Sequence, residues 1–255
     1  VRAEIHLSSA AQSAKFLQIK IPMKTPRNTP ATAHAFTLIE LLTVIAIIAI
    51  LMGLLFPVMG VVKETAKKTQ AKNEVVQIVS AVKLYYTEYG KYPVWPTTTT
   101  TDITYGDPST NANNLIFDTL RNNKPTQDPA KTLNPRQISY IEASAAKDQI
   151  NSKSGIKTST GVWYDPWGSP YNVALDGNYN GVVTAPGYTD LTTNYTTASD
   201  GSGDIGVATG VIVWSYGRNG LLGGDGGGTT VPSGFTKEGG TPNQLSGSGD
   251  VVSWQ

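Results

Sequence analysis

Apolar positions follow two different rules along the first third of this chain. From Leu41 to Val62 there are 22 consecutive residues without a charge, most of them Leu, Ile, Val, Ala, Met or Phe. Twenty-two helical residues rise about 33 Å, enough to cross the hydrocarbon core of a bilayer. The run is apolar on every side, which predicts a membrane-inserting helix rather than a buried core helix. After Val62 the pattern becomes one-sided. Val75, Val79, Val82, Tyr86 and Tyr89 step by four, three, four and three, flanked by Val76, Ile78 and Tyr85. That spacing predicts the apolar stripe of an amphipathic helix, with Lys67, Lys68, Lys72, Glu74, Lys83 and Glu88 on much of the remaining surface. One helix from about Phe36 to Tyr89 would be roughly 80 Å long, and its second half needs a surface to pack on. Gly90, followed by Lys91, Tyr92 and Pro93, is its expected stop.

Beyond the helix the pattern is weaker. Thr97–Thr101 reads as an exposed loop. Asn113 to Asn123 reads as a short helix with Leu115, Ile116 and Leu120 inward. Ile138 to Ile150 reads as a strand or a helix. Strands are expected at Tyr171–Leu175 and Val207–Tyr216, with Gly-rich turns between them. The segment Asp165-Pro166-Trp167-Gly168-Ser169-Pro170-Tyr171 is expected to be a tight turn pinned to a core by Trp167. Asp176-Gly177-Asn178-Tyr179-Asn180-Gly181 fits the first half of a calcium loop, but Gly187 stands where the bidentate Glu belongs. Asn-Gly also makes a hairpin turn, and that reading is preferred.

Composition narrows the chemistry. Of 255 residues none is cysteine, and the two histidines, His6 and His34, both precede the apolar run. Disulfides, thiolate nucleophiles and Cys-containing zinc sites are excluded, as is any His-based triad in the remainder. The chain holds 20 basic and 19 acidic residues, which gives no reason to expect nucleic acid as a partner. An ordinary secretory signal fits poorly. The small-residue triplet Ala33-His34-Ala35 comes before the apolar run, and Lys63-Glu64-Thr65-Ala66-Lys67-Lys68 after it reads as a helical surface.

A carboxylate, Glu40, stands at the mouth of the run, where burial in a bilayer costs roughly 2.5–3.5 kcal/mol without a partner. It either stays hydrated at the interface or takes a cation from a partner helix. The stretch Ala35-Phe36-Thr37-Leu38-Ile39-Glu40-Leu41-Leu42 resembles the processing motif of type IV pilins and type II secretion pseudopilins. The resemblance implies that a prepilin peptidase cuts between Ala35 and Phe36 and methylates the new amine, and that Glu40 pairs with a neighbouring subunit's amine during filament assembly. The family residue before the cut is usually Gly, where this chain has Ala35. Pro57 lies inside the run, lacks an N–H for the Gly53 carbonyl, and matches the position where family helices soften in the filament. Gly-x-Tyr-Pro at the helix end and the Asp-Pro-Trp-Gly segment are similar to major pseudopilins.

The tail, Trp214-Ser215-Tyr216-Gly217-Arg218-Asn219-Gly220-Leu221-Leu222-Gly223-Gly224-Asp225 and then Gly249-Asp250-Val251-Val252-Ser253-Trp254, resembles the Ca²⁺-binding C-terminal loop of that family. The resemblance places the first ligand at Asn219, where the family has Asp, and the second at Asp250. Asp225 is a candidate for the missing carboxylate. The alternative is a loop closed by Trp254 packing and hydrogen bonds.

The expected fold is α+β and pilin-like: a long N-terminal helix packed on a small antiparallel sheet with Gly-rich loops. The expected divisions are a cytoplasmic leader (1–35), a transmembrane and assembly helix (36–62), the amphipathic half of the helix (63–90) and a periplasmic globular domain (91–255). Met23 is the expected true start, leaving 1–22 outside the gene product. The functional expectation is a non-enzymatic pseudopilin anchored in the bacterial inner membrane. It would polymerise with itself and with minor pseudopilins on an inner-membrane secretion assembly platform. The runner-up is a type IV pilus subunit for adhesion, motility or DNA uptake. Residues 36–255 hold fifteen basic and eighteen acidic residues, which weighs against a DNA-gripping filament. Two other classes rank lower. One is a tethered enzyme using carboxylates among Asp165, Asp176, Asp190, Asp200 and Asp204. The other is a carbohydrate-binding tip using Trp95, Trp163 and Trp167.

Overall fold

The computed structural model describes residues 36–94, 100–107, 110–123, 132–184, 195–200, 205–223, 244–246 and 248–254. The chain divides into two compact units, Val1–Met52 and Gly53–Gln255. The described part of the first unit is the start of helix α1 (Leu38–Tyr89). All of its residues are exposed.

In the second unit α1 continues through Pro57 and ends at Tyr89. Gly90, at φ +66°, closes the helix, with its N–H on the Tyr86 carbonyl at 2.8 Å. Glycine adopts that left-handed conformation without a Cβ clash, so the expected stop is a C-terminal glycine cap. The buried face of α1 carries Ala71, Val75, Ile78, Ala81, Val82 and Tyr85. This is the expected stripe rotated around the helix. Ile78 and Tyr85 lie at its centre, Val79 and Tyr89 at its edge, and Tyr86 lies outside the buried face, 39% exposed and stacked on Tyr92.

Helix α2 (Asn114–Leu120) buries Ile116, Phe117 and Leu120, with Leu115 only partly buried. The strands are β1 (Ile103–Tyr105), β2 (Gly155–Ile156), β3 (Trp163–Tyr164), β4 (Asn172–Leu175), β5 (Val183–Thr184), β6 (Thr196–Thr197), β7 (Ile205–Val207), β8 (Val211–Ser215) and β9 (Val251–Val252). They form three antiparallel sheets in the orders β1-β4-β8-β9, β2-β3 and β5-β7-β6. In the largest, Val173 pairs with Val213 and Leu175 with Val211, while Trp214 faces Val252.

Side-chain alternation gives this sheet two buried faces. Val173, Leu175, Val211, Val213 and Val251 join the core containing the α1 stripe. Ala174, Ile212, Trp214 and Val252 form a second cluster with Leu222, Leu245 and Trp254. The fold is α+β, as expected, and consistent with a pilin-like arrangement of long helix and antiparallel sheet.

Three local expectations change. The strand expected over Val207–Tyr216 is two strands in different sheets, β7 and β8, broken at 208–210. Residues 138–150 form no regular element and make one isolated bridge, Ala145 to Ile156. Asp176–Gly181 is not a hairpin turn, because β4 before it and β5 after it belong to separate sheets. Its asparagines and aspartate fold the loop on itself instead. Asp176 accepts the N–H groups of Asn180 (3.1 Å) and Gly181 (2.9 Å), and Asn180 Oδ1 accepts that of Val182 (2.9 Å). Side chains that compete for backbone groups override the hairpin preference of Asn-Gly.

Candidate functional site

The start of α1 is a capping box. Thr37 Oγ1 accepts the Glu40 N–H at 3.2 Å, and Glu40 Oε2 accepts the Thr37 N–H at 2.8 Å and its hydroxyl at 2.7 Å. Thr-x-x-Glu satisfies two otherwise unpaired helix donors at once, and the 37–40 spacing carries the signal for it. Glu40 is therefore held by its own helix start, with Phe36 exposed just before it. Ala35 lies outside the described residues. From Leu38 to Val62 the large apolar side chains are exposed, and α1 is long and apolar enough to cross a membrane. A Cβ built on Gly53 meets nothing within 4 Å, so the carbonyl that faces Pro57 lies in an uncrowded stretch.

A second constellation ties the globular part to α1. The Asp165 side chain gathers its own turn, accepting the N–H groups of Trp167 (2.9 Å), Gly168 (2.7 Å) and Ser169 (2.9 Å) on Oδ1. Ser215 Oγ donates to Oδ2 at 2.5 Å. Trp167 is buried, and its Nε1 donates to Glu64 on α1 at 2.7 Å. Tyr171 OH donates to Glu74 at 2.5 Å. Asn113 completes the hub, with Nδ2 on the carbonyls of Trp163 (2.9 Å) and Tyr171 (2.8 Å) and Oδ1 accepting the Trp163 N–H (3.0 Å). The expected tight turn with a tryptophan anchor is present. Its partners Glu64, Glu74, Asn113 and Ser215 lie far off in sequence and carry no local signal.

Burial of Asp165 pushes its carboxyl up to about 6, with the four hydrogen bonds pulling the other way. Burial also raises the Tyr171 hydroxyl far above its ordinary range, and the neighbouring Glu74 carboxylate raises it further.

In the tail, Asn219 and Asp250 meet on one residue. Asn219 Nδ2 donates to the Gly223 carbonyl at 2.8 Å, and Asp250 Oδ2 accepts the Gly223 N–H at 2.7 Å. Asn219 Oδ1 also accepts the Leu221 N–H at 2.9 Å. The structure brings these two expected ligands together, while Asp225 lies outside the described residues. Calcium takes six to eight oxygens, and a carboxylate and a carbonyl are of the right hard character. The fit is partial. Among the described residues the site has one carboxylate, and the Asn219 oxygen and the Gly223 carbonyl already accept hydrogen bonds from the protein.

The residues of the lower-ranked readings are placed otherwise. Trp163 and Trp167 are buried anchors, while Trp95, Asp190 and Asp204 lie outside the described residues. Asp165 and Asp176 are buried in hydrogen-bonded turns, and Asp200 is exposed.

The prokaryotic N-terminal methylation motif matches residues 31–56. The chain thus carries a type IV pilin-like prepilin signal, the kind a prepilin peptidase processes, at the head of an apolar helix suited to membrane anchoring. No curated protein and no solved structure matches the chain.

Proposed function

We propose that this chain is a pseudopilin: a non-enzymatic subunit whose apolar helix anchors it in the inner membrane and then stacks with other copies in a secretion filament. The methylation motif at the head of the 52-residue helix carries this reading. Cleavage between Ala35 and Phe36 would free an amine four residues from Glu40. In a stack of apolar helices that amine on a neighbouring copy lowers the cost of placing the carboxylate in hydrocarbon. Pro57 gives the helix a place to yield during stacking. The Asp-Pro-Trp-Gly turn, clasped to α1 through Glu64, favours the pseudopilin over the runner-up, a type IV pilus subunit.

The same reading puts minor pseudopilins and the inner-membrane assembly platform among its partners, with the globular domain in the periplasm. It puts a Ca²⁺ at the Asn219/Asp250 loop, with Asp225 as second carboxylate. When bound, the ion would staple a domain that has no disulfide. Mass spectrometry of the mature N-terminus tests the class. N-methylated Phe36 is the expected result, and an intact leader or a cut after the apolar run overturns it. Deleting the secretion ATPase then separates secretion from pilus function.

A further inference from the structure

Four lysines, Lys63, Lys67, Lys68 and Lys72, stand on α1 in the ten residues that follow the uncharged run. Lys63, Lys68 and Lys72 are exposed and Lys67 is half-buried. Two acids share this stretch and its next turn, and both are turned toward the globular domain. Glu64 accepts the Trp167 indole N–H at 2.7 Å. Glu74 accepts the Tyr171 hydroxyl at 2.5 Å and the Gln70 amide at 2.9 Å. Neither forms an ion pair with a lysine among the described residues. Among the described residues the one ion pair is Arg136 with Glu88, farther along the helix. Lys68 and Lys72 also line a cavity of about 360 Å³ together with Asp250, a carboxylate that accepts the Gly223 N–H. Among the described residues the hydrogen-bond donors to Glu64 and Glu74 are thus neutral, and the lysines outnumber the acids in this collar.

Depth along the helix says what that charge meets. Beyond Val62, Lys63 rises about 1.5 Å, Lys67 about 6–8 Å and Lys68 about 9 Å, while Lys72 stands about 15 Å out. The polar headgroup layer is roughly 5–7 Å thick on each side of the hydrocarbon core. Lysine stems run along apolar surface and carry the ammonium several ångströms from their Cα, so the first three reach the phosphates and Lys72 does not.

We propose that Lys63, Lys67 and Lys68 form a binding surface for anionic phospholipid headgroups, holding the unassembled subunit against a negatively charged leaflet. Each basic residue at such a surface adds about fivefold in affinity at moderate salt. Extraction from the bilayer then requires release of these lipids, which makes it sensitive to lipid charge and ionic strength. The inference rests on the membrane-spanning part of the proposed function and on none of its filament steps.

The test uses the full chain reconstituted in phosphatidylcholine bilayers with and without phosphatidylglycerol. Spin-labelled lipids of each headgroup report which one lines the helix. The wild type is expected to select phosphatidylglycerol several-fold and to lose the preference in high salt. The triple variant Lys63→Gln, Lys67→Gln, Lys68→Gln is expected to show no selection, and the corresponding triple arginine variant to retain it. Lys72→Gln is expected to behave as wild type, because it stands beyond the headgroups. Equal lipid ratios for the wild type, an unchanged preference in the triple variant, or an equal loss from Lys72→Gln would each overturn the proposal. So would a triple variant that keeps lipid selection and loses only contacts between copies, because the collar would then face protein. An unmethylated Phe36 would defeat the pseudopilin reading and leave this measurement standing.

Discussion

Ser215 Oγ donates to Asp165 Oδ2 at 2.5 Å, joining the Asp-Pro-Trp-Gly turn to β8 across fifty residues of sequence. The bond leaves Oδ1 to three backbone N–H groups of the turn. A side chain with no exposed surface thereby sets the conformation of the loop that holds α1.

Asp165 should make stability depend on pH. Burial raises its carboxyl from 3.8 to about 6, so the folded chain holds this proton more tightly than the unfolded one. Its contribution is full below the unfolded value and is lost as pH rises through about 6, with a span on the order of 3 kcal/mol. Denaturant midpoints measured across that window should rise as pH falls by more in the wild type than in Asp165→Asn. Equal slopes would refute this. Asp165→Ala leaves three backbone donors without an acceptor and should cost about 3 kcal/mol or more at any pH.

The bond between Trp167 and Glu64 should be worth measuring by truncation. Trp167→Phe keeps most of the buried ring but leaves the Glu64 carboxylate without its donor. A hydrogen bond to a charged group contributes about 1.5–3 kcal/mol, so the melting midpoint in detergent should fall accordingly. Glu64→Gln keeps an acceptor and should lose less. A wild-type midpoint for Trp167→Phe would show that packing alone fixes the turn.

Glu40 is expected to act in assembly and Thr37 in the helix start. Glu40→Ala or Glu40→Gln should abolish filaments with membrane insertion intact, as seen by electron microscopy and membrane fractionation. Normal filaments from either variant would defeat that role. Thr37→Val removes the side-chain half of the capping box, leaving the backbone N–H of residue 37 on Glu40, and should weaken the first turn by about 1 kcal/mol. Faster hydrogen exchange at amides 38–41 would register it.

Calcium is checked by melting the chain with and without chelator. The expected result is a lower midpoint after chelation, and no chelator response in Asp250→Asn. An identical transition in the wild type would remove the ion and leave the loop closed by Trp254 packing and hydrogen bonds, those to Gly223 among them. Asp225→Asn separates the two carboxylates: it should weaken the calcium response without loosening Gly223.

The parts legible in the sequence are those where neighbours in the chain decide. A charge-free run of 22 residues needs no tertiary partner to be read as a membrane-length helix. Gly90 and Pro93 stop it by backbone chemistry, while the capping box of Thr37 and Glu40 was not read although its signal lies within one turn. The Asp-Pro-Trp-Gly turn was legible as a turn for the same reason. Residues 138–150 were not, because their apolar residues fit two periods and the structure uses neither. The DGNYNG loop misled for a related reason. Asn-Gly permits a hairpin, but a hairpin also needs its flanking strands to pair, and these enter different sheets.

By itself the sequence determined the long helix, its start and stop, the prepilin signal, and a domain without cysteine or, beyond the signal, histidine. Each follows from covalent neighbours or from composition. Tertiary structure decided which face of α1 is buried, with the stripe rotated toward Ile78 and Tyr85. It also decided that Glu64 and Glu74 accept from Trp167 and Tyr171, with no ion pair to the neighbouring lysines among the described residues. Those pairings join residues about a hundred positions apart. Only packing can bring such groups within hydrogen-bond distance, because no local periodicity records which distant donor a carboxylate will meet.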